Sequence, residues 1–207
     1  MKVTRLLGPL TFVLLLALAL PAAADVLSTT SSGAPLVIAT PPTGTTITSN
    51  FLLGLNLGPE IIFDEQQGIT LASALVTDTG TIAAGTTVDS HFLALNSAAG
   101  AVVDTSATFD GTVLGIIYED GSANYAASDF LGLPSLIYAE SCGNCGFEAG
   151  DTASFSGDTA FFHTDYSEPG DFARIITLAT PAGVPEPASL VLMGSGLAAL
   201  ASRLRKR

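Results

Sequence analysis

Residues 172–178 read Phe-Ala-Arg-Ile-Ile-Thr-Leu, and this stretch decides the class of fold. Successive side chains of a strand point to opposite faces of a sheet. One face would carry Phe172, Arg174, Ile176 and Leu178, and the other would carry Ala173, Ile175 and Thr177. Because both sets contain apolar residues, we expect a strand covered on both sides and therefore a layered β domain.

Short segments with the same β-favouring composition surround this stretch, and Thr, Val, Ile and Phe dominate them. We predict further strands over 36–38, 68–76, 86–95, 107–118, 135–138, 152–155 and 159–164, and a single helical turn over 128–132. Gly-Asp and Asp-Gly pairs between them, such as Asp110-Gly111, are typical of tight turns. The pattern predicts an all-β fold, an antiparallel β-sandwich or jelly-roll-like ectodomain.

The chain divides by composition into a body and two unusual ends. Residues 25–50 form a Ser/Thr/Pro-rich N-terminal segment, and residues 51–180 form the predicted β-sandwich ectodomain. A linker follows at 181–187. The body between the two ends is long enough for one domain with its own hydrophobic core.

The first 24 residues have the three parts of an export signal. Lys2 and Arg5 form a basic start, residues 6–20 are apolar, and a run of three alanines ends at Ala24. A short apolar core followed by small residues is typical of a cleaved signal peptide. We therefore expect cleavage between Ala24 and Asp25.

The last 23 residues predict a membrane anchor. The linker contains Pro185-Glu186-Pro187, residues 188–202 carry no charge, and a basic cytoplasmic tail follows at 203–207. Its cations are Arg203, Arg205, Lys206 and Arg207. A 15-residue helix rises only about 22 Å, against about 30 Å for the hydrocarbon core, so this transmembrane helix is a short one. Cations after the span place the body outside the cytoplasm.

The order of these parts resembles the PEP-CTERM sorting tail of Gram-negative bacteria that export proteins alongside exopolysaccharide. The resemblance rests on Pro185-Glu186-Pro187, the apolar stretch and the Arg-rich end. It implies recognition by exosortase, a membrane-embedded cysteine transpeptidase that removes the tail. It also implies a membrane-anchored precursor and a cell-surface or extracellular product. A permanent tail anchor without processing is the alternative.

The charged residues of the exported part are almost all acidic. All nineteen acids of the chain lie in 25–186, where Arg174 is the single Lys or Arg, so this part carries a formal charge of −18. Such a surface repels nucleic acid. The acidity either keeps the protein soluble or binds calcium, and we assign no other cofactor.

Two cysteines, Cys142 and Cys145, form a C-x-x-C motif in an exported chain. An even number of cysteines in an oxidising compartment favours a local disulfide. A redox-active pair and a share in a metal site are the alternatives. We assign no metal ligands, because a zinc site would need four.

No catalytic residue is assigned. His91 follows Asp89-Ser90, and His163 precedes Asp165, but no nucleophile motif surrounds a body serine. Each histidine is expected at a strand edge, bonded to a carboxylate. The acid pairs Asp64-Glu65 and Glu119-Asp120 lack the spacing of an EF-hand loop.

These observations predict a secreted, non-enzymatic protein, structural or adhesive in an exopolysaccharide or biofilm layer. Its partners would be exosortase, the inner membrane transiently, and exopolysaccharide. The alternative is a calcium-dependent carbohydrate-binding module, and a glycan hydrolase is a third hypothesis.

Overall fold

Fourteen strands and two short helices make up the regular structure in the computed structural model, which describes residues 25–33, 35–44, 46–47, 60–95, 102–119, 123–138, 147, 149–165 and 171–180. The strands are β1 (Val26–Ser31), β2 (Val37–Ile38), β3 (Thr46–Ile47), β4 (Glu60–Asp64), β5 (Ile69–Thr70), β6 (Leu75–Thr77), β7 (Gly80–Ile82), β8 (Thr87–Leu95), β9 (Val102–Phe109), β10 (Val113–Ile117), β11 (Ile137–Tyr138), β12 (Thr152–Ser156), β13 (Thr159–Asp165) and β14 (Asp171–Leu178). The α-helix α1 spans Ala123–Ser128, and a 3-10 helix follows at Asp129–Leu131.

The strands form two main sheets. A four-stranded sheet has the order β1-β9-β13-β12, and a six-stranded sheet has the order β10-β14-β8-β4-β2 with β5 also paired to β8. The predicted all-β class is confirmed. The pairing is not purely antiparallel, however, because β2 runs parallel to β4 and β3 runs parallel to β11.

One hydrophobic core lies between the two main sheets. The four-stranded sheet contributes alternate residues of β9 and β13, including Val103, Phe109 and Phe162. The six-stranded sheet contributes Leu93 and Ile175 to the same cluster. The period of two along β9 and β13 thus separates a core face from an exposed outer face.

The six-stranded sheet is also covered on its second face. There, Phe92 and Phe172 pack with residues of β3 and β4 and with Leu136, while Ile176 packs with residues of β5, β6 and β7 and with Leu131 of the 3-10 helix. Strands β8 and β14 are consequently buried on both sides. This confirms the double coverage predicted for residues 172–178.

Several strand boundaries differ from the predicted ones. The predicted strand 107–118 is two strands, since β9 ends at Phe109, β10 begins at Val113, and the two belong to different sheets. Gly111 makes this turn possible, because a Cβ there would collide with the carbonyl oxygen of Leu178. The predicted strand 68–76 is likewise interrupted between β5 and β6.

Strands from the Ser/Thr/Pro-rich segment are part of both main sheets. β1 pairs with β9, and β2 pairs with β4. The described residues from Asp25 to Ala179 all belong to one compact unit.

The β6–β7 turn caps the free edge of β10. Oδ2 of Asp78 accepts hydrogen bonds from the backbone N–H groups of Tyr118 and Glu119 at 2.7 and 2.8 Å. Oγ1 of Thr79 accepts one from the N–H of Ile116 at 2.9 Å. Because a bare sheet edge invites pairing with other chains, this turn protects the fold against aggregation.

Candidate functional site

The predicted processing sites lie at the ends of the chain, outside the described residues. These are Ala24 before the signal cleavage point, the Pro185-Glu186-Pro187 motif, the apolar stretch 188–202 and the cations of 203–207. Cys142 and Cys145 also lie outside the described residues. Within the ranges that the structure describes, no helix is long and apolar enough to span a membrane.

Asp25, the residue after the predicted cleavage point, is held at the start of the fold. Its backbone N–H donates to Oδ1 of Asp110 at 3.1 Å, and the N–H of Asp110 donates to the carbonyl of Asp25 at 3.2 Å. Cleavage after Ala24 would place the new α-amino group beside a carboxylate.

Three polar side chains form a largely buried row across the six-stranded sheet, in which only the Asp64 side chain is partly exposed, at 30%. Nδ1 of His91 lies 2.7 Å from Oδ1 of Asp64, and Nε2 of His91 lies 3.1 Å from Oγ1 of Thr177. These residues come from the neighbouring strands β4, β8 and β14. The connectivity is that of an acid–base–hydroxyl triad, with carboxylate and hydroxyl at opposite ring nitrogens.

Burial of the imidazole and the hydroxyl keeps an external substrate from reaching either group. His91 and Thr177 are both 0% exposed, and the ring of Phe109 lies 4.5 Å from the His91 ring, centroid to centroid. The expected bond to a carboxylate is confirmed, and the partner is Asp64 of the adjacent strand. The expected position is wrong, because His91 lies in the middle of a central strand rather than at an edge.

We expect the row to stabilise the fold, so His91→Ala should lower the free energy of unfolding by about 3 kcal/mol, since it opens a cavity and leaves the buried hydroxyl of Thr177 unsatisfied. Urea unfolding would measure the loss. His163→Ala is the matched control, because His163 also bonds an aspartate at 2.7 Å but is 48% exposed. Equal small effects of the two substitutions would contradict a structural role for the row.

Arg174 sits in a second buried cluster, on the other side of the six-stranded sheet. Its Nε donates to Oε2 of Glu65 at 2.8 Å and its Nη2 donates to Oε1 at 3.1 Å, which is a bidentate pair. Nη1 donates to Oγ of Ser128 at 2.5 Å. The hydroxyl of Ser90 also donates to Glu65 at 2.6 Å. Both charged side chains are fully buried, so Arg174 and Glu65 form an ion pair inside the domain.

Aromatic rings enclose this ion pair. The guanidinium carbon of Arg174 lies 4.8 Å from the centroid of the Tyr138 ring and 6.0 Å from that of Phe92. Burial alone would lower the pKa of Arg174, but the charge of Glu65 and the hydrogen bonds to it outweigh burial and raise the pKa. Arg174 therefore keeps its charge inside the domain.

Two tyrosines beside the cluster should make the fold sensitive to alkali. Burial raises the pKa of Tyr138 above its ordinary value, and the charge of Glu65 adds to the rise. Burial also raises the pKa of Tyr125, whose hydroxyl donates to the carbonyl of Phe172. The folded state thus holds protons that the unfolded chain releases near pH 10.

Stability should accordingly be intact below about pH 10 and fall as pH rises further, because deprotonation then favours the unfolded chain. Urea midpoints from pH 8 upward would show the fall, and Tyr138→Phe should reduce its slope. Tyrosinate absorbance rising at the ordinary pKa for all tyrosines of the folded protein would contradict this.

The acid pair Asp64-Glu65 does not form one site. Asp64 faces His91 between the sheets, whereas Glu65 faces Arg174 on the opposite side of the six-stranded sheet. The two carboxylates are therefore separated by the sheet.

The second acid pair, Glu119-Asp120, does not form a site in the described residues either, because Glu119 is exposed and Asp120 lies outside them. Within the described part of the chain, no group of three or more His, Cys, Asp or Glu side chains is placed to hold a metal ion.

The outer face of the four-stranded sheet presents the second histidine and an exposed aromatic ring. Nδ1 of His163 lies 2.7 Å from Oδ1 of Asp104, and these side chains are 48% and 74% exposed. Two residues before His163 on the same strand, Phe161 is 45% exposed. Ser154 and Ser106 are its direct neighbours on β12 and β9.

Sequence reasoning missed Phe161, although a signal was present. Phe161 and Phe162 are consecutive in a strand, so one ring must point away from the core. Phe162 is 2% exposed and belongs to the core, which leaves Phe161 outside. The partners Asp64 and Thr177 of His91 had no local signal, because they are 27 and 86 residues distant in sequence.

Comparison with protein-family models identifies the motif at the C-terminus of the chain. Residues 183–206 match the family model of the PEP-CTERM protein-sorting motif. No curated protein and no solved structure matches the chain. This chain therefore carries a PEP-CTERM protein-sorting motif at its C-terminus, which implies an exported protein that exosortase processes at the cell envelope.

Proposed function

We propose that the body of this protein is a non-enzymatic structural or adhesive component of the exopolysaccharide layer of a Gram-negative bacterium. The signal peptide takes the chain across the inner membrane, the short helix holds it there transiently, and exosortase removes the tail. The body then remains at the cell surface or in the extracellular matrix.

The observation that carries this proposal is the outer face of the four-stranded sheet. It presents the exposed ring of Phe161 among serine and threonine side chains of β9, β12 and β13. Hydroxyl groups both donate and accept hydrogen bonds, which suits them to the hydroxyl groups of polysaccharides. By contrast, the buried row of His91 and the cluster of Arg174 serve the interior of the fold.

Fractionation of the producing bacterium tests this function. We expect the processed protein in the exopolysaccharide fraction, and we expect a glycan-degrading enzyme to release it together with polysaccharide fragments. A strain that makes no exopolysaccharide is the control, and it should shed the protein into the medium. Protein that remains in the membrane fraction in both strains would contradict the proposal.

A further inference from the structure

Phe161 occupies the middle of the outer face, and the residues beside it leave its ring open. In the register of the sheet, Phe161 lies opposite Ser154 on one side and Ser106 on the other. Both are short side chains, and Ser154 is itself exposed. Aromatic rings contribute large contact areas with little loss of conformational freedom, which suits them to stack on a sugar ring.

Hydroxyl side chains lie beside this ring in two pairs, one between β9 and β13 and one between β1 and β9. Thr108 and Thr159 are 3.2 Å apart between their hydroxyl oxygens, and Thr30 and Ser106 are 2.8 Å apart. Each hydroxyl has one donor and two acceptor sites, so these pairs retain capacity for a ligand. β9 alone, at eight residues, runs about 26 Å, which is long enough for several sugar units.

The charge of the exported part indicates which charge a bound polysaccharide should carry. Arg174 is the single Lys or Arg of residues 25–186, and it is 0% exposed. The exported surface therefore presents no lysine or arginine side chain. Around the outer face, Asp165 and Asp104, which bonds His163, are exposed at one end, and Asp158 is exposed at the other. Such a surface repels anionic polymers and attracts cationic ones.

We infer that this outer face binds a polysaccharide that carries free amino groups, with one sugar ring stacked on Phe161. The inference rests on the proposed function and specifies its site and its ligand. The hydroxyl pairs bind the sugar hydroxyl groups, and the acidic ends of the face attract the ammonium groups.

Calorimetry on the full chain in a non-ionic detergent tests the inference. The probe is a β-1,4-linked glucosamine hexamer at a mildly acidic pH, above the ordinary carboxyl pKa values of about 4. We expect Phe161→Ala to weaken its binding at least about fivefold, because the stacking contact is lost. Raising the salt concentration from about 0.05 M to about 0.5 M should weaken binding further, because it shortens the screening length.

Phe130→Ala is the matched control, since Phe130 is 51% exposed on the 3-10 helix, away from the four-stranded sheet. It should leave binding unchanged. Phe161→Tyr should keep the affinity, and Ser154→Lys should remove binding by adding a cation beside the ring. Melting temperatures of all variants show that each is folded.

Two results would overturn the inference. One is an equal effect of Phe161→Ala and Phe130→Ala, and the other is equally tight binding of the neutral, fully N-acetylated hexamer. Either result leaves the proposed function standing if the protein still fractionates with exopolysaccharide. Hexamer binding by a protein that does not fractionate with exopolysaccharide would contradict the proposed function alone.

Discussion

Replacing Arg174 by alanine is expected to lower the free energy of unfolding by about 3–5 kcal/mol. The substitution leaves Glu65 fully buried without the guanidinium that donates to both of its oxygens. An uncompensated buried charge is among the most destabilising changes that a single substitution can make. For a domain of this length, the melting temperature should fall by about 10 °C.

Two controls separate the loss of pairing from the loss of a side chain. The double variant Arg174→Met with Glu65→Met should recover most of the stability, because apolar residues of similar volume commonly replace a buried ion pair without loss. Asp104→Ala removes an exposed partner of His163 and should change stability by less than about 0.5 kcal/mol. An unchanged melting temperature for Arg174→Ala would contradict the structural role of the pair.

Replacing the sorting motif is expected to stop processing altogether. When Glu186 or both prolines of Pro185-Glu186-Pro187 become alanine, full-length protein should accumulate in the inner membrane, because the helix and basic end still hold the chain there. Immunoblots of fractionated cells would show the larger, membrane-bound species.

Two further variants sharpen this experiment. Glu119→Ala, at an exposed acid of the body, is the control and should be processed normally. Deletion of residues 188–207 should send uncut protein to the periplasm, because nothing then holds the motif at the membrane. Normal processing of the motif variants would show that recognition depends on other residues.

Local patterns predicted the strands whose two faces differ in polarity or whose ends carry turn residues. β12 and β13 lie within one residue of their predicted bounds at either end, because Gly157-Asp158 marks the turn between them. β4 was missed, because Glu-Ile-Ile-Phe-Asp is buried on both faces and shows no alternation. β1 was missed because Ser and Thr dominate its sequence. Its hydrogen-bonded pairing with β9 holds it as a strand although its composition gives no strand signal.

For the buried polar clusters of Arg174 and His91, the sequence indicates the type of partner but not which residue the partner is. A lone arginine among carboxylates had to find a partner, and the bidentate geometry of the pair follows from the guanidinium. Its choice of Glu65, 109 residues earlier, depends on how β14 pairs with β8. Likewise, the approach of Asp64 and Thr177 to His91 is a property of strand order, which no local segment encodes.

The mass of the exported protein tests most directly whether the chain is exported and then loses its C-terminal tail, because one mass depends on both ends of the chain. We predict that intact mass spectrometry of protein from the cell surface will show a chain that begins at Asp25 and lacks the basic cluster 203–207. A mass that still includes Arg203 to Arg207, in a strain that has an exosortase, would contradict sorting by tail removal and would make the C-terminus a permanent anchor.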